Sequence, residues 1–105
     1  MEFIETPIFT KIITNLLSDE EYRAFQNDLL EHPEAGTRIP SALGMRKVRA
    51  ALGTHGKRGG FRVWYFYFQD QHTIFLVYAL PKSKGSDLTK KMERQLAQAI
   101  RKEMP

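Results

Sequence analysis

Ile8, Phe9, Ile12, Ile13 and Leu16 recur at helical spacing, so the chain predicts an apolar stripe on a helix with Pro7 in its first turn. The four residues before it, "EFIE", are too short for a helix and read as an edge strand. Ser18 followed three positions later by Glu21 is a capping box, with Asp19 and Glu20 at the positive end of the helix dipole. A second helix should therefore start at Ser18, bury Tyr22, Phe25 and Leu29, and stop before Pro33.

Beyond it the pattern loses its helical period. "EAGTRIPSALG", residues 34–44, holds two glycines and a proline and reads as a loop. In "MRKVRAAL" the apolar Val48, Ala50 and Leu52 alternate with Lys47, Arg49 and Ala51, so a strand here turns Lys47 and Arg49 to one sheet face. "GTHGKRGG" has four glycines in eight residues and predicts a hairpin connection. The run from Phe61 to Phe68 is apolar on both faces apart from Arg62, as a central strand covered on both sides would be. "DQH" supplies a turn, and "TIFLVYAL" is another doubly apolar strand, ended by Pro81. Ser86 is the expected N-cap of a last helix whose stripe is Leu88, Met92, Leu96 and Ile100.

The order is β-α-α-β-β-β-α. It predicts an α+β fold with a small, mostly antiparallel sheet, two N-terminal helices packed on it and a C-terminal helix. Three consecutive strands should form adjacent hairpins, and the first strand should join the sheet beside one of them. At 105 residues the expectation is a single domain, 1–105.

Charge sharpens this picture. The net charge of +4 is unevenly spread: residues 1–34 carry eight acids and two bases, residues 35–69 seven bases and no acid, residues 70–105 seven bases and four acids. A solvated face mixes signs, so an acid-free middle third points to a polyanionic partner. Without cysteine the chain makes no disulfide or thiolate metal site. The three histidines are scattered, with no ligand spacing, so neither metal nor cofactor is expected. The sequence has no membrane-length apolar run and no signal-peptide pattern, and a cytoplasmic protein is expected.

Serine-nucleophile signatures are absent, and capping and solvation account for the acids of the first third. What remains is a cationic constellation of Lys47, Arg49, Lys57, Arg58, Arg62, Lys82 and Lys84, able to converge at one end of the sheet as RNA-binding sites do. His55 lies in the same hairpin, and its imidazole can move a proton near neutral pH. Arg62 at the start of a central strand needs an anion, either a phosphate or a structural partner such as Glu2, Glu5 or Asp87. Trp64, Phe66 and Phe68 read as core rather than as stacking platforms.

"SDEEYRAFQNDLLEHPEAG", "LGMRKVR", "GKRGGFRVWYF" and "VYALPKSKGSDLT", in that order over roughly residues 16 to 100, resemble the RelE/ParE superfamily of toxins, particularly its HigB-like branch. The resemblance implies the toxin of a type II toxin–antitoxin system that enters the ribosomal A site and cleaves mRNA without a metal. The ribose 2′-hydroxyl attacks the adjacent phosphate in that reaction. It makes Arg62 the stabiliser of the transition-state phosphate, Lys47 and Arg49 the pair acting on the nucleophile and backbone, and Lys82 the basic residue after the last strand. Ser83 replaces a further arginine of RelE, with Lys84 able to supply its charge, and Thr89 replaces a later tyrosine, leaving Lys84 or His55 as proton donor. Arg46, Lys57, Arg58 and His55 are the expected RNA- and ribosome-contacting residues. The implied partners are ribosome, mRNA and a HigA-like antitoxin with a helix-turn-helix, and no membrane. Two rival readings are a ParE-like inhibitor of DNA gyrase without nuclease chemistry and a non-catalytic basic RNA-binding module.

Overall fold

The computed structural model describes residues 1–51 and 60–103. Strand β1 (Glu2–Glu5) leads into helices α1 (Pro7–Leu16) and α2 (Asp19–Glu31). Strands β2 (Thr37–Arg38), β3 (Arg46–Ala51), β4 (Gly60–Phe68) and β5 (Thr73–Pro81) follow, and the chain closes with α3 (Lys90–Arg101). The fold is α+β, with one mixed sheet in the order β1-β5-β4-β3-β2. As expected, β3, β4 and β5 are antiparallel neighbours. β1 settles beside β5 and is parallel to it, because two helices separate it from the rest of the sheet.

The helix starts follow local chemistry. Thr6 caps α1, its Oγ1 accepting from the Phe9 amide at 3.0 Å. The Ser18 capping box is formed in both directions, Oγ accepting from the Glu21 amide and Glu21 Oε1 from the Ser18 amide. β4 lies at the centre, covered on both faces. Phe61, Val63 and Tyr65 pack against Phe9, Ile13, Phe25 and Leu29 of the first two helices, whereas Trp64 and Phe66 pack against Ala97 of α3.

A bulge in β5 re-phases this alternation close to the groove described below. Trp64 pairs with Tyr78 but Tyr65 pairs with Leu76, so Val77 is the extra residue. The Thr6 hydroxyl donates to the Val77 carbonyl at 2.7 Å, and the Thr6 amide to that of Leu76 at 3.0 Å, fixing the irregularity from the neighbouring segment. Tyr78 and Leu80 thereby join the α3 face.

Several expectations are corrected. The segment 34–44 contains β2, paired with the start of β3. It is held by the Tyr65 hydroxyl, which donates to the Pro33 carbonyl and accepts from the Gly36 amide. The approach is so close that a Cβ on Gly36 would lie 2.8 Å from the Tyr65 ring. Ile8 is exposed, so the α1 stripe starts at Phe9. The N-cap of α3 is Thr89, whose side chain accepts from the Met92 amide, and Ser86 lies at a bend three residues before it. Of the expected α3 stripe, Leu88, Leu96 and Ile100 pack against the core, but Met92 is 48% exposed and Glu93, at 3%, takes the buried place beside it. The hairpin expected at "GTHGKRGG" lies outside the described residues except for Gly60. Among the described residues no helix is long and apolar enough to cross a membrane.

Candidate functional site

Period-two alternation along β3 puts Val48 and Ala50 against the core beneath α1 and α2. Lys47 and Arg49 consequently face the α3 side, opposite Trp64 and Arg62 of β4 respectively. Arg49 and Arg62 are therefore direct cross-strand neighbours. Like charges in that position destabilise a sheet by a few tenths of a kcal/mol to about 1 kcal/mol unless an anion intervenes. Both line an open groove of about 420 Å³ at this end of the sheet, together with Lys82, Leu80, Gly85 and Ser86.

The Arg62 Nε donates to the Ser86 carbonyl at 2.5 Å, which orients the guanidinium and leaves its two terminal nitrogens to present a fork. Glu2 and Glu5 are not its partners. They sit on β1, and Glu5 instead accepts from the Tyr22 and Thr10 hydroxyls. Asp87 lies near enough to feel the Arg62 charge, but its carboxylate is bound elsewhere. Among the described residues neither Arg49, Arg62 nor Lys82 forms an ion pair with an acid.

Lys47, on the same face, is already paired with two acids. Its Nζ donates to Asp87 Oδ2 at 2.9 Å and Oδ1 at 3.1 Å, and to Glu93 Oε2 at 3.1 Å. Burial pulls the ammonium down, and the hydrogen bonds to Asp87 and Glu93 outweigh it, so Lys47 is held above the ordinary lysine value. For Asp87, burial pulls upward. The hydrogen bonds from Lys47 and the Leu88 amide, with the charges of Lys47 and Arg62, outweigh that and hold the carboxyl below the usual range.

A depressed carboxyl contributes stability that is present above its unfolded value, near 3.9, and is lost as pH falls through its folded value. The raised Lys47 contributes stability that is complete below its unfolded value, near 10.4, and is lost as pH rises through its folded value. The urea midpoint of the wild type is expected to fall as pH drops below about 4, and Asp87→Asn should flatten part of that acid limb. An acid limb identical in the variant would mean that Asp87 titrates alike in both states.

The other expected residues divide. Arg46 lies on the opposite face from Lys47, and its Nη1 donates to the Gly36 carbonyl at 2.8 Å, so it clamps the loop before β2 and stands apart from the groove. Lys84 is exposed in the turn after β5 and borders a neighbouring hollow with Leu80, Leu88 and Met92. His55, Lys57 and Arg58 lie outside the described residues. Ser86, Asp87 and Glu93 escaped the sequence reading as site residues. Asp87 enters it only as a candidate structural partner of Arg62 and Ser86 only as a helix cap, while Glu93 leaves a fainter trace, as an acid four positions after Thr89 and three before Leu96.

No protein-family model matches the chain. Among solved structures it is similar to a mutant of the E. coli toxin RelE in the free state, at 13% identity and a TM-score of 0.58, covering 95% of each chain. The intact E. coli RelBE toxin–antitoxin complex matches at 14% identity and a TM-score of 0.56, over 83% of this chain and 98% of that one. The isolated E. coli RelE toxin matches at 13% and 0.55, over 98% of both. The chain thus has the RelE toxin fold. At such identities the likeness carries no chemistry, which has to be argued from the side chains.

Proposed function

We propose that this chain is the toxin of a type II toxin–antitoxin pair, of the HigB-like kind, and acts as a ribosome-dependent, metal-independent mRNA endonuclease. The observation that carries the reading is the groove in which Arg49 and Arg62 face each other across two strands, beside Lys82, with no acid paired to any of the three among the described residues. Such a site is built to receive a compact, multiply charged oxyanion.

In the proposed reaction the 2′-hydroxyl loses its proton and its oxygen bonds to the adjacent phosphorus. The bond from phosphorus to the 5′-oxygen breaks, and that oxygen takes up a proton. The products are a 2′,3′-cyclic phosphate and a 5′-hydroxyl. Between them lies a dianionic phosphorane, which Arg62 and Arg49 stabilise by preorganised charge, with Lys82 supporting the same oxygens. Lys47 adds charge from the same sheet face, two residues along β3 from Arg49. The ribosome supplies in-line geometry by holding the message, which is worth more than a weakly placed base. Lys84 and the hairpin residues His55, Lys57 and Arg58 contact surrounding RNA or ribosome in this reading, and Lys84 or His55 protonates the leaving oxygen. The partner is a HigA-like antitoxin carrying a helix-turn-helix, and the site of action is the cytoplasm.

The test is a purified translation system programmed with a defined message, with and without ribosomes, the 5′ ends being mapped by primer extension. Cuts that appear only with ribosomes are expected. An intact message, together with loss of supercoiling when the same protein meets DNA gyrase, would replace the nuclease by the gyrase inhibitor.

A further inference from the structure

Lys47 holds more negative charge than it needs. One carboxylate neutralises an ammonium, yet Lys47 contacts two, and the cluster of Lys47, Asp87 and Glu93 carries a net negative charge. The two acids differ in kind. The Glu93 side chain is 3% exposed, stands in the first turn of α3, and its Oε2 accepts from both Lys47 Nζ and Trp64 Nε1, the latter at 2.8 Å. A carboxylate so buried is stable only while both donors stay in place. The Asp87 side chain is 38% exposed and meets Lys47 from the solvent side.

Asp87 also stands where the groove ends. Ser86, the residue before it, accepts from Arg62, and Asp87 reaches Lys47, so residues 86 and 87 span the gap between the guanidinium and the ammonium. The segment leaves the turn after β5 through Gly85, whose φ of 157° favours glycine. A carboxylate accepting two hydrogen bonds from one ammonium occupies the space that two oxygens of a phosphate would fill.

We propose that Asp87 is a built-in placeholder for a substrate phosphate at Lys47, and that Glu93 is the positioning residue that keeps Lys47 aimed at the groove once the placeholder is displaced. This rests on the nuclease reading, and it adds a division of labour among the acids. Asp87 competes with the RNA and keeps the empty site electrically quiet. Glu93 never leaves, because its other hydrogen bond ties it to the core through Trp64. Lys47 therefore meets the phosphate as a fixed charge, already oriented.

Trp64 is the only tryptophan, so its indole N–H gives a single resonance two hydrogen bonds away from the site. The experiment titrates inorganic phosphate into the full chain and follows that resonance together with the Arg62 Nε–H. In the wild type both should shift. Asp87→Asn, which keeps an oxygen for the Leu88 amide, should bind phosphate about two- to fivefold more tightly, the scale of one exposed ion pair. Asp70→Asn makes the same charge change in the turn between β4 and β5, at the other end of these strands from the groove, and should leave the affinity unchanged. Glu93→Gln should still bind phosphate at Arg62 but lose the indole response, and in the cleavage assay lower kcat about tenfold with KM nearly constant. An equal gain in Asp70→Asn and Asp87→Asn, or an Arg62 shift with a silent indole, would overturn the placeholder while leaving the nuclease reading intact. Absence of any shift in the wild type would overturn both.

Discussion

Arg62→Ala is expected to lower ribosome-dependent mRNA cleavage by ~10²-fold or more while the protein stays folded. That factor corresponds to about 2.7 kcal/mol of lost transition-state stabilisation, what one preorganised donor to a developing oxyanion supplies. The geometry explains why a single residue carries so much. The Nε of Arg62 is bonded to the Ser86 carbonyl, so the guanidinium is already oriented when the message arrives. Arg62→Lys keeps the charge but loses both the tether and the fork, and its rate should fall between alanine and wild type. Stability gives the second readout. Arg62 faces Arg49 directly and pairs with no acid among the described residues, so its removal relieves a like-charge contact while losing one hydrogen bond. The melting temperature should move little, within the range of surface substitutions. Single-turnover cleavage and a thermal melt on the same preparations decide the matter. A wild-type rate in Arg62→Ala would remove Arg62 from the chemistry. A large drop in melting temperature accompanying lost activity would make it a structural ion.

The parts of this molecule that were legible in its sequence are those set by near neighbours along the chain. The Ser18 capping box, the alternation that puts Lys47 and Arg49 on one face, and the doubly covered β4 each follow from spacings of a few residues. The parts that were not legible depend on contacts far apart in sequence. The bulge at Val77 is fixed by Thr6, 71 residues away, and nothing in "TIFLVYAL" announces it. The two-residue β2 exists because the Tyr65 hydroxyl and Arg46 reach the backbone before it. Likewise the charge pattern correctly marked the middle third as cationic but could not sort its members. Arg46 turned to the opposite face as a loop clamp, and Lys47 was claimed by Asp87 and Glu93, which lie 40 and 46 residues later. Only a structure separates the arginines left open to an anion from the lysine already holding one.

That distinction leads to the largest expected stability effect, at Lys47. Lys47→Met removes the cation that Glu93 needs, and Glu93 is among the most deeply buried acids in the chain at 3% exposure. The Trp64 N–H remains as a partner, but a neutral donor does not compensate a full charge out of water. Removing one member of a buried pair costs about 3–5 kcal/mol. For a domain of this size that lowers the melting temperature by roughly 12 °C or more. The cost belongs to the orphaned carboxylate rather than to the lost attraction, and a second substitution separates the two. Glu93→Gln in the Lys47→Met background discards the stranded charge and keeps an oxygen for the Trp64 N–H. The double variant should recover most of the lost stability. Its activity should not recover, because Lys47 still contributes nothing to the groove. Urea unfolding of the four members of this cycle measures the coupling directly. Additive losses would mean that Lys47 and Glu93 act independently and that Asp87 alone holds the ammonium, whereas recovery of stability without recovery of cleavage ties the buried acid to the lysine and the lysine to the reaction.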